Sequence, residues 1–328
     1  MRTTFIWILI LVNTVFVKAQ DVPLLSQKLT DAFIYNSSFA GLDNGSITFA
    51  HRAAFNKVEG GGKINFLSFN MPLSYNNFGV GLSLYNEKIN FMNNTYVSGA
   101  FAYHIEIGND QLFSMGVAAE YNNIRADADR VVGDLSDEML ALLDAGQYNK
   151  MDYSAGINYQ HRYFKIGISS NRLATAFKGD DDQNILVQYY TAQGALMLPV
   201  RGGVDLIEPM FIYRKFSKVS HSWDLGCYYT FNDLILFGIS ARVGGSAEFS
   251  SKENNAINVF NITGGFKLMS KLLLGYSVDI ASSSASLGPS HEFTLSYEFL
   301  DINNNQRFNQ KSPSNYKGRF KKKGNKRK

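Results

Sequence analysis

The chain has 328 residues, 45% hydrophobic and 18% charged, with 25 Phe, 18 Tyr, 28 Gly and one Cys. The single Cys227 excludes an internal disulfide framework and a Cys-based structural zinc site. After the first twenty residues no uninterrupted apolar run reaches the roughly 18 residues of a membrane-spanning helix, so a helical membrane protein is excluded.

Charge is unevenly placed. Residues 302–328 carry ten Lys/Arg and no Asp/Glu, and the first nineteen carry Arg2 and Lys18. The remaining body holds 20 basic and 28 acidic residues, about −8 against a tail of about +10. The sequence pI of about 8.9 therefore describes the tail.

In chain order, Arg2 is followed by an apolar stretch from Phe5 to Val17, and Val17-Lys18-Ala19 supplies a cleavage-site pattern. Residues 1–19 read as a signal peptide, with a mature start near Gln20. The stretch is too short for a helical anchor crossing about 30 Å of hydrocarbon. Residues 20–44 read as an N-terminal periplasmic segment ahead of the first strand.

From Gly45 the chain breaks into segments of roughly ten residues that alternate with period two. Met151, Tyr153, Ala155, Ile157 and Tyr159 fall on one face, with Asp152, Ser154, Gly156, Asn158 and Gln160 on the other. Trp223, Leu225, Cys227, Tyr229 and Phe231 alternate with Ser222, Asp224, Gly226, Tyr228 and Thr230. A soluble sandwich also alternates, but turns Lys, Glu and Thr to water. Here the polar face is rich in Gly and Ser, which suits a crowded or water-filled barrel lumen with the apolar face against lipid.

The predicted strands are 45–56, 64–72, 78–86, 95–107, 111–123, 151–160, 163–172, 186–198, 203–214, 219–231, 234–243, 257–269, 271–281 and 290–300. The fold class is thus all-β: a transmembrane antiparallel β-barrel of about 14 strands over 45–300, with both termini periplasmic. Short turns (73–77, 108–110, 161–162, 199–202, 232–233 and 270) alternate with mostly longer loops (57–63, 87–94, 124–150, 173–185, 215–218, 244–256 and 282–289). Short turns on one side and long loops on the other mark an outer-membrane barrel. Closure pairs the first strand with the last, because hydrocarbon tolerates no unpaired sheet edge. Within loop 124–150, Leu135 to Gly146 reads as a short amphipathic helix, capped by Ser136 and Gly146.

The motif search for chemistry is empty. His51, His104, His161, His221 and His291 have no zinc-helix spacing, and each falls at a strand end or turn. Gly79-Val-Gly-Leu-Ser83 lacks the helix and Lys of a phosphate loop, and a Gly-rich lumenal face explains it. Asp180-Asp181-Asp182 reads as a solvated acidic loop rather than a calcium site. No catalytic residue, cofactor site or metal site is expected.

Residues 301–328 read as a disordered basic tail. Strand parity places it in the periplasm, where nucleic acid is not a partner. Its candidate partner-binding residues are Lys317, Arg319, Phe320, Lys321, Lys322, Lys323, Lys326, Arg327 and Lys328, with Phe308 and Tyr316 as further aromatic anchors. An acidic periplasmic partner and a non-specific anionic surface both fit this composition.

Three segments together carry a resemblance. Pro23-Leu-Leu-Ser-Gln27 followed by Ile34-Tyr-Asn-Ser-Ser-Phe-Ala-Gly41 looks like the opening "SQY…INPAYAG" of the PorP/SprF family, with Asn-Ser-Ser-Phe in place of Asn-Pro-Ala-Tyr. Gly79 to Ile89 with Tyr103-His104 fits its "GLGLSLxNDKIG…YAYH" stretch, and Gly288 to Phe299 resembles its closing "GSHEIMLSYDF" strand. The resemblance implies an outer-membrane protein of the type IX secretion and gliding apparatus of Bacteroidota. It also implies partners: periplasmic components of that machinery, outer-membrane lipid, and a secreted surface adhesin with a type B C-terminal signal. Its role would be to bind and anchor the adhesin or assist its export. A diffusion or uptake channel for small molecules is the alternative, and a lipid-modifying enzyme a remote third.

Overall fold

The computed structural model describes residues 25–27, 31–57, 60–73, 77–108, 110–126, 147–177, 186–216, 221–244, 259–269, 271–281 and 288–300. Strands run β1 (Gly45–Ala53), β2 (Lys63–Leu73), β3 (Phe78–Ile89), β4 (Met92–Gly108), β5 (Gln111–Ala126), β6 (Gln147–His161) and β7 (Phe164–Asn171). A short helix, α1 (Leu173–Phe177), precedes β8 (Tyr189–Leu196, resumed as Leu198–Val200). Then follow β9 (Asp205–Phe216), β10 (His221–Phe231), β11 (Ile235–Gly244), β12 (Val259–Leu268), β13 (Leu272–Ala281) and β14 (Ser290–Leu300).

Each strand pairs antiparallel with its sequence neighbours, and β1 pairs with β14 from Gly45↔Leu300 to Ala53↔His291. The sheet is a closed barrel of fourteen staves, as the alternation predicts. The lapse in β8 does not add a stave, because its register against β9 is continuous from Ala195↔Met210 to Leu198↔Ile207. Pro209 stands on β9 within that interval and has no N–H to donate. On its other side β8 is unbroken: the Met197 N–H donates to the Tyr163 carbonyl at 2.7 Å, one step beyond Phe164↔Leu196 in the β7 register.

Burial is inverted relative to a soluble domain. Ile47, Phe49, Leu82, Val117, Ile239 (65% exposed) and Ile262 point outward, while Ser46, Thr48, Ser83, Ser114, Asn158 and Thr263 are buried. Met151 and Tyr153 are exposed and Asp152 and Ser154 are buried, as their alternation predicts. An apolar outside against lipid and a polar inside lined by alternate residues is the transmembrane-barrel arrangement.

Two expectations are corrected. Residues 87–94 are not a loop: β3 and β4 pair out to Ile89↔Met92, turning through Asn90 (φ 50°) and Phe91. Likewise β5 and β6 pair out to Arg125↔Gln147. These extensions, with Glu87, Lys88, Asn93, Asn94, Asn122 and Asn123, are polar on both faces, so the hydropathy alternation fades while the hydrogen-bonded ladder continues. A strand of about 9–11 residues spans the bilayer; β4 has 17 and β5 has 16, so both continue past it on the long-loop side.

The second correction concerns residues 20–44. Their described part does not lie outside the barrel; it is packed within it. The signal peptide, the 135–146 helix, the Asp180–Asp182 loop and the 301–328 tail lie outside the described residues.

Candidate functional site: a lumen filled by the amino-terminal segment

Residues 31–42 form two short 3-10 turns, Ala32–Ile34 and Ser37–Phe39, and run directly into β1. Phe33, Tyr35, Phe39, Ala40 and Leu42 are all buried. Phe33, Phe39, Ala40 and Leu42 share one apolar cluster with Ala100, Ala102, Leu112 and Ala118 of β4 and β5. The polar lumen thus has an apolar patch of small wall residues, and the segment's aromatic rings fill it.

Asn36 fastens the middle of the segment. Its Oδ1 accepts from the Ser38 N–H (3.0 Å) and the Ser38 hydroxyl (2.7 Å), capping the second turn. Its Nδ2 donates to the carbonyls of Ile157 (3.2 Å) on β6 and Ile168 (3.1 Å) on β7. Nearby, Asn158 Nδ2 donates to the Ser38 carbonyl (2.8 Å), and the Ser169 hydroxyl donates to the Tyr35 carbonyl (2.9 Å). A segment without regular structure leaves backbone groups to satisfy, and the barrel's inner side chains satisfy them.

Close approach requires that the wall give way. A Cβ on Gly79 would overlap the Ala40 carbonyl, one on Gly81 would lie 2.7 Å from the Phe33 ring, and one on Gly116 2.5 Å from Ser37 and Ser38 backbone. Gly156 and Gly167 face the Asn36 side chain, and Gly275 faces that of Gln27. These six glycines mark the path of the segment along the wall.

Two charged clusters hold it further. Near the long-loop rim, Glu292 accepts the backbone N–H groups of Ser26 (2.7 Å) and Gln27 (3.0 Å). Asp279 accepts the Ser26 hydroxyl at 2.8 Å, and Arg52 pairs with Asp279 at 2.5 Å, lies 3.8 Å from Glu292 and donates to the Ser26 hydroxyl. In the second cluster, Asp224 binds both Arg214 and Arg242 (2.8 Å to Nε), and the Arg214 guanidinium lies 5.8 Å from the centre of the Tyr35 ring. Buried charges persist only where paired and hydrogen-bonded. The alternation pattern did not single out these inner-face charges; Arg and Asp at positions in phase with Ser and Gly are the signal that could have.

Toward the opposite end, Gly41 N–H donates to Asn70 Oδ1 at 2.6 Å. His104 Nε2–H donates to the Ala40 carbonyl at 3.0 Å, and its Nδ1 accepts the Ser114 hydroxyl at 2.8 Å. His104 is thus a lumenal hydrogen-bonding residue. Above β7, Asp152 accepts the N–H groups of Ala174 (2.7 Å) and Thr175 (3.2 Å) and so caps α1 against the inner face of β6. No group of His, Cys, Asp and Glu among the described residues could hold a metal ion.

A closed barrel with an apolar band outside and a buried polar interior defines an outer-membrane β-barrel protein. Residues 17–297 match the family of the type IX secretion system membrane protein PorP/SprF, and the chain belongs to that family. A comparison with curated protein sequences gives no match. Among solved structures it is similar to the Acinetobacter baumannii outer membrane protein Omp33 (10% identity, 79% of this chain and all of that one, TM-score 0.47). It is also similar to the Ralstonia pickettii toluene transporter TbuX (9% identity, 81% and 92%, TM-score 0.48) and the COG4313 outer membrane channel of Pseudomonas putida F1 (10%, 78% and 95%, TM-score 0.42).

Family and fold together define an outer-membrane protein associated with type IX secretion, structural or transporting in character. The opening segment that carries the family resemblance, Ile34 to Gly41, is the segment inside the lumen. Residues of its two end motifs meet there, Ser26 and Gln27 against Glu292.

Proposed function

We propose that this protein is a non-enzymatic anchor of the type IX apparatus, which binds a secreted surface adhesin and holds it at the outer membrane or assists its export. The observation that carries this reading is the filled lumen. A diffusion channel needs a continuous aqueous path, whereas inner-face residues of β4, β5, β6, β7 and β14 contact the chain's own segment. Two cavities beside that segment measure about 30 Å³ (near Tyr35 and Phe39) and about 10 Å³ (near Gln27 and Asp31). The second is the size of one water.

On this reading the basic tail, through Lys317, Arg319, Phe320, Lys321, Lys322, Lys323, Lys326, Arg327 and Lys328, engages an acidic periplasmic component of the machinery. The tail's charge of about +10 and its interleaved aromatics support this. The test is co-purification from envelopes: a large secreted adhesin is recovered with the wild-type protein, and deleting the gene strips that adhesin from the surface. A deletion that altered only small-molecule uptake would favour the channel reading instead.

A further inference from the structure

Register gives each contact of the lumenal segment a height in the wall. Ser26 and Gln27 touch Arg52, next to last in β1, Asp279, two residues before the end of β13, and Glu292, third in β14. All three lie at the long-loop rim. Asp31 accepts the hydroxyl of Ser68 (2.7 Å), midway along β2. Asn36 and Ser38 reach Ile157 and Asn158, in the short-turn half of β6. Gly41 meets Asn70 near the short-turn end of β2 and Gly79, second in β3. From Ser26 to Gly41 the chain therefore descends the whole lumen, from the long-loop mouth to the short-turn mouth, and only then enters β1.

We propose that the lumenal segment enters the barrel from its outer mouth, so that its head, Leu25 to Gln27, stands at the cell-surface end of the lumen. Short turns face the periplasm in outer-membrane barrels, so the rim beside Ser26 is the external one. The contact nearest the outside is the cluster of Arg52, Asp279 and Glu292, so the segment is latched at its external end and continuous with the wall at its internal end. A partner arriving from outside meets this latch first. This inference stands on topology and does not depend on the anchoring reading.

The test is site-directed labelling of intact cells with a membrane-impermeant maleimide in a Cys227→Ala background, since Cys227 is exposed. Three single cysteines are compared: Val22→Cys at the amino end, Lys88→Cys beside the β3–β4 turn, and Lys271→Cys at a short turn. The expected result is labelling of Val22→Cys and Lys88→Cys on intact cells, and of Lys271→Cys only after permeabilisation. Labelling of Val22→Cys only after permeabilisation, or in neither condition, overturns the proposal. Labelling of Lys271→Cys but not Lys88→Cys on intact cells overturns it through the sidedness of the barrel. Should Val22→Cys fail to reach the membrane, an epitope inserted between Asp21 and Val22 and read by antibody on intact cells decides between the same outcomes. A surface-exposed amino end in cells whose protein retains no adhesin would refute the anchoring reading and leave this one intact.

Discussion

Glu292 and Ser26 stand 266 positions apart in sequence, yet the Glu292 Oε2 accepts the Ser26 N–H at 2.7 Å. The bond joins the last stave of the barrel to the start of the described lumenal segment. Arg52 completes the site by facing both Asp279 and Glu292.

Removing Arg52 takes away the cation that the buried Asp279 and Glu292 share. Breaking one side of a buried pair costs about 3–5 kcal/mol. Arg52→Ala is expected to lower the urea midpoint of the folded barrel, read by the heat-modifiable shift on gels. In planar bilayers the variant should open intermittently where the wild type stays closed. A variant as stable and as silent as wild type would show that the latch holds nothing.

Gly156 and Asn36 test whether the wall glycines are there for the segment. A Cβ at Gly156 would collide with the Asn36 side chain. Gly156→Ala is expected to destabilise by about 1–3 kcal/mol, and Asn36→Gly to relieve most of that in the double variant. Additive losses in this double-mutant cycle would mean the two positions are uncoupled.

Lipid-facing and lumenal positions should respond oppositely to the same chemistry. Ile239, near the middle of β11, is 65% exposed on the outside. Ile239→Lys should cost roughly 2–4 kcal/mol for a charge at bilayer depth, while Ile239→Ala should cost little. Phe39, buried on the lumenal segment, should lose about 3–5 kcal/mol as Phe39→Ala. Equal tolerance of Lys at Ile239 and at an exposed rim residue such as Gln147 would contradict the lipid-facing assignment.

The tail separates partner binding from folding. Truncation after Asp301 is expected to leave the gel shift of the barrel unchanged and to reduce recovery of periplasmic partners from envelopes. Phe320→Ala should reduce that recovery at fixed salt if docking is specific, whereas a purely electrostatic attachment weakens with added salt alone.

Alternation made the wall legible. Met151 to Gln160 shows on paper which residues meet lipid, because a period of two and a two-sided environment leave one assignment that hides the polar face. The number of staves and the side of the short turns followed from the same pattern. The tall β3–β6 extensions did not, since above the membrane both faces are polar and the pattern loses contrast. The lumenal path of residues 25–27 and 31–44 was invisible for another reason: the segment has no period of its own, and its bonds go to residues as distant as Ile168 and Glu292. Gly79, Gly81, Gly116, Gly156, Gly167 and Gly275 could be counted along the chain, but only closure of the barrel places them along one path facing the segment. What the sequence by itself determined is a barrel with an outside and an inside, because that is a local property of each strand. Which part of the chain occupies the inside was decided by tertiary structure, because the occupant is defined by contacts that exist only once fourteen staves have closed.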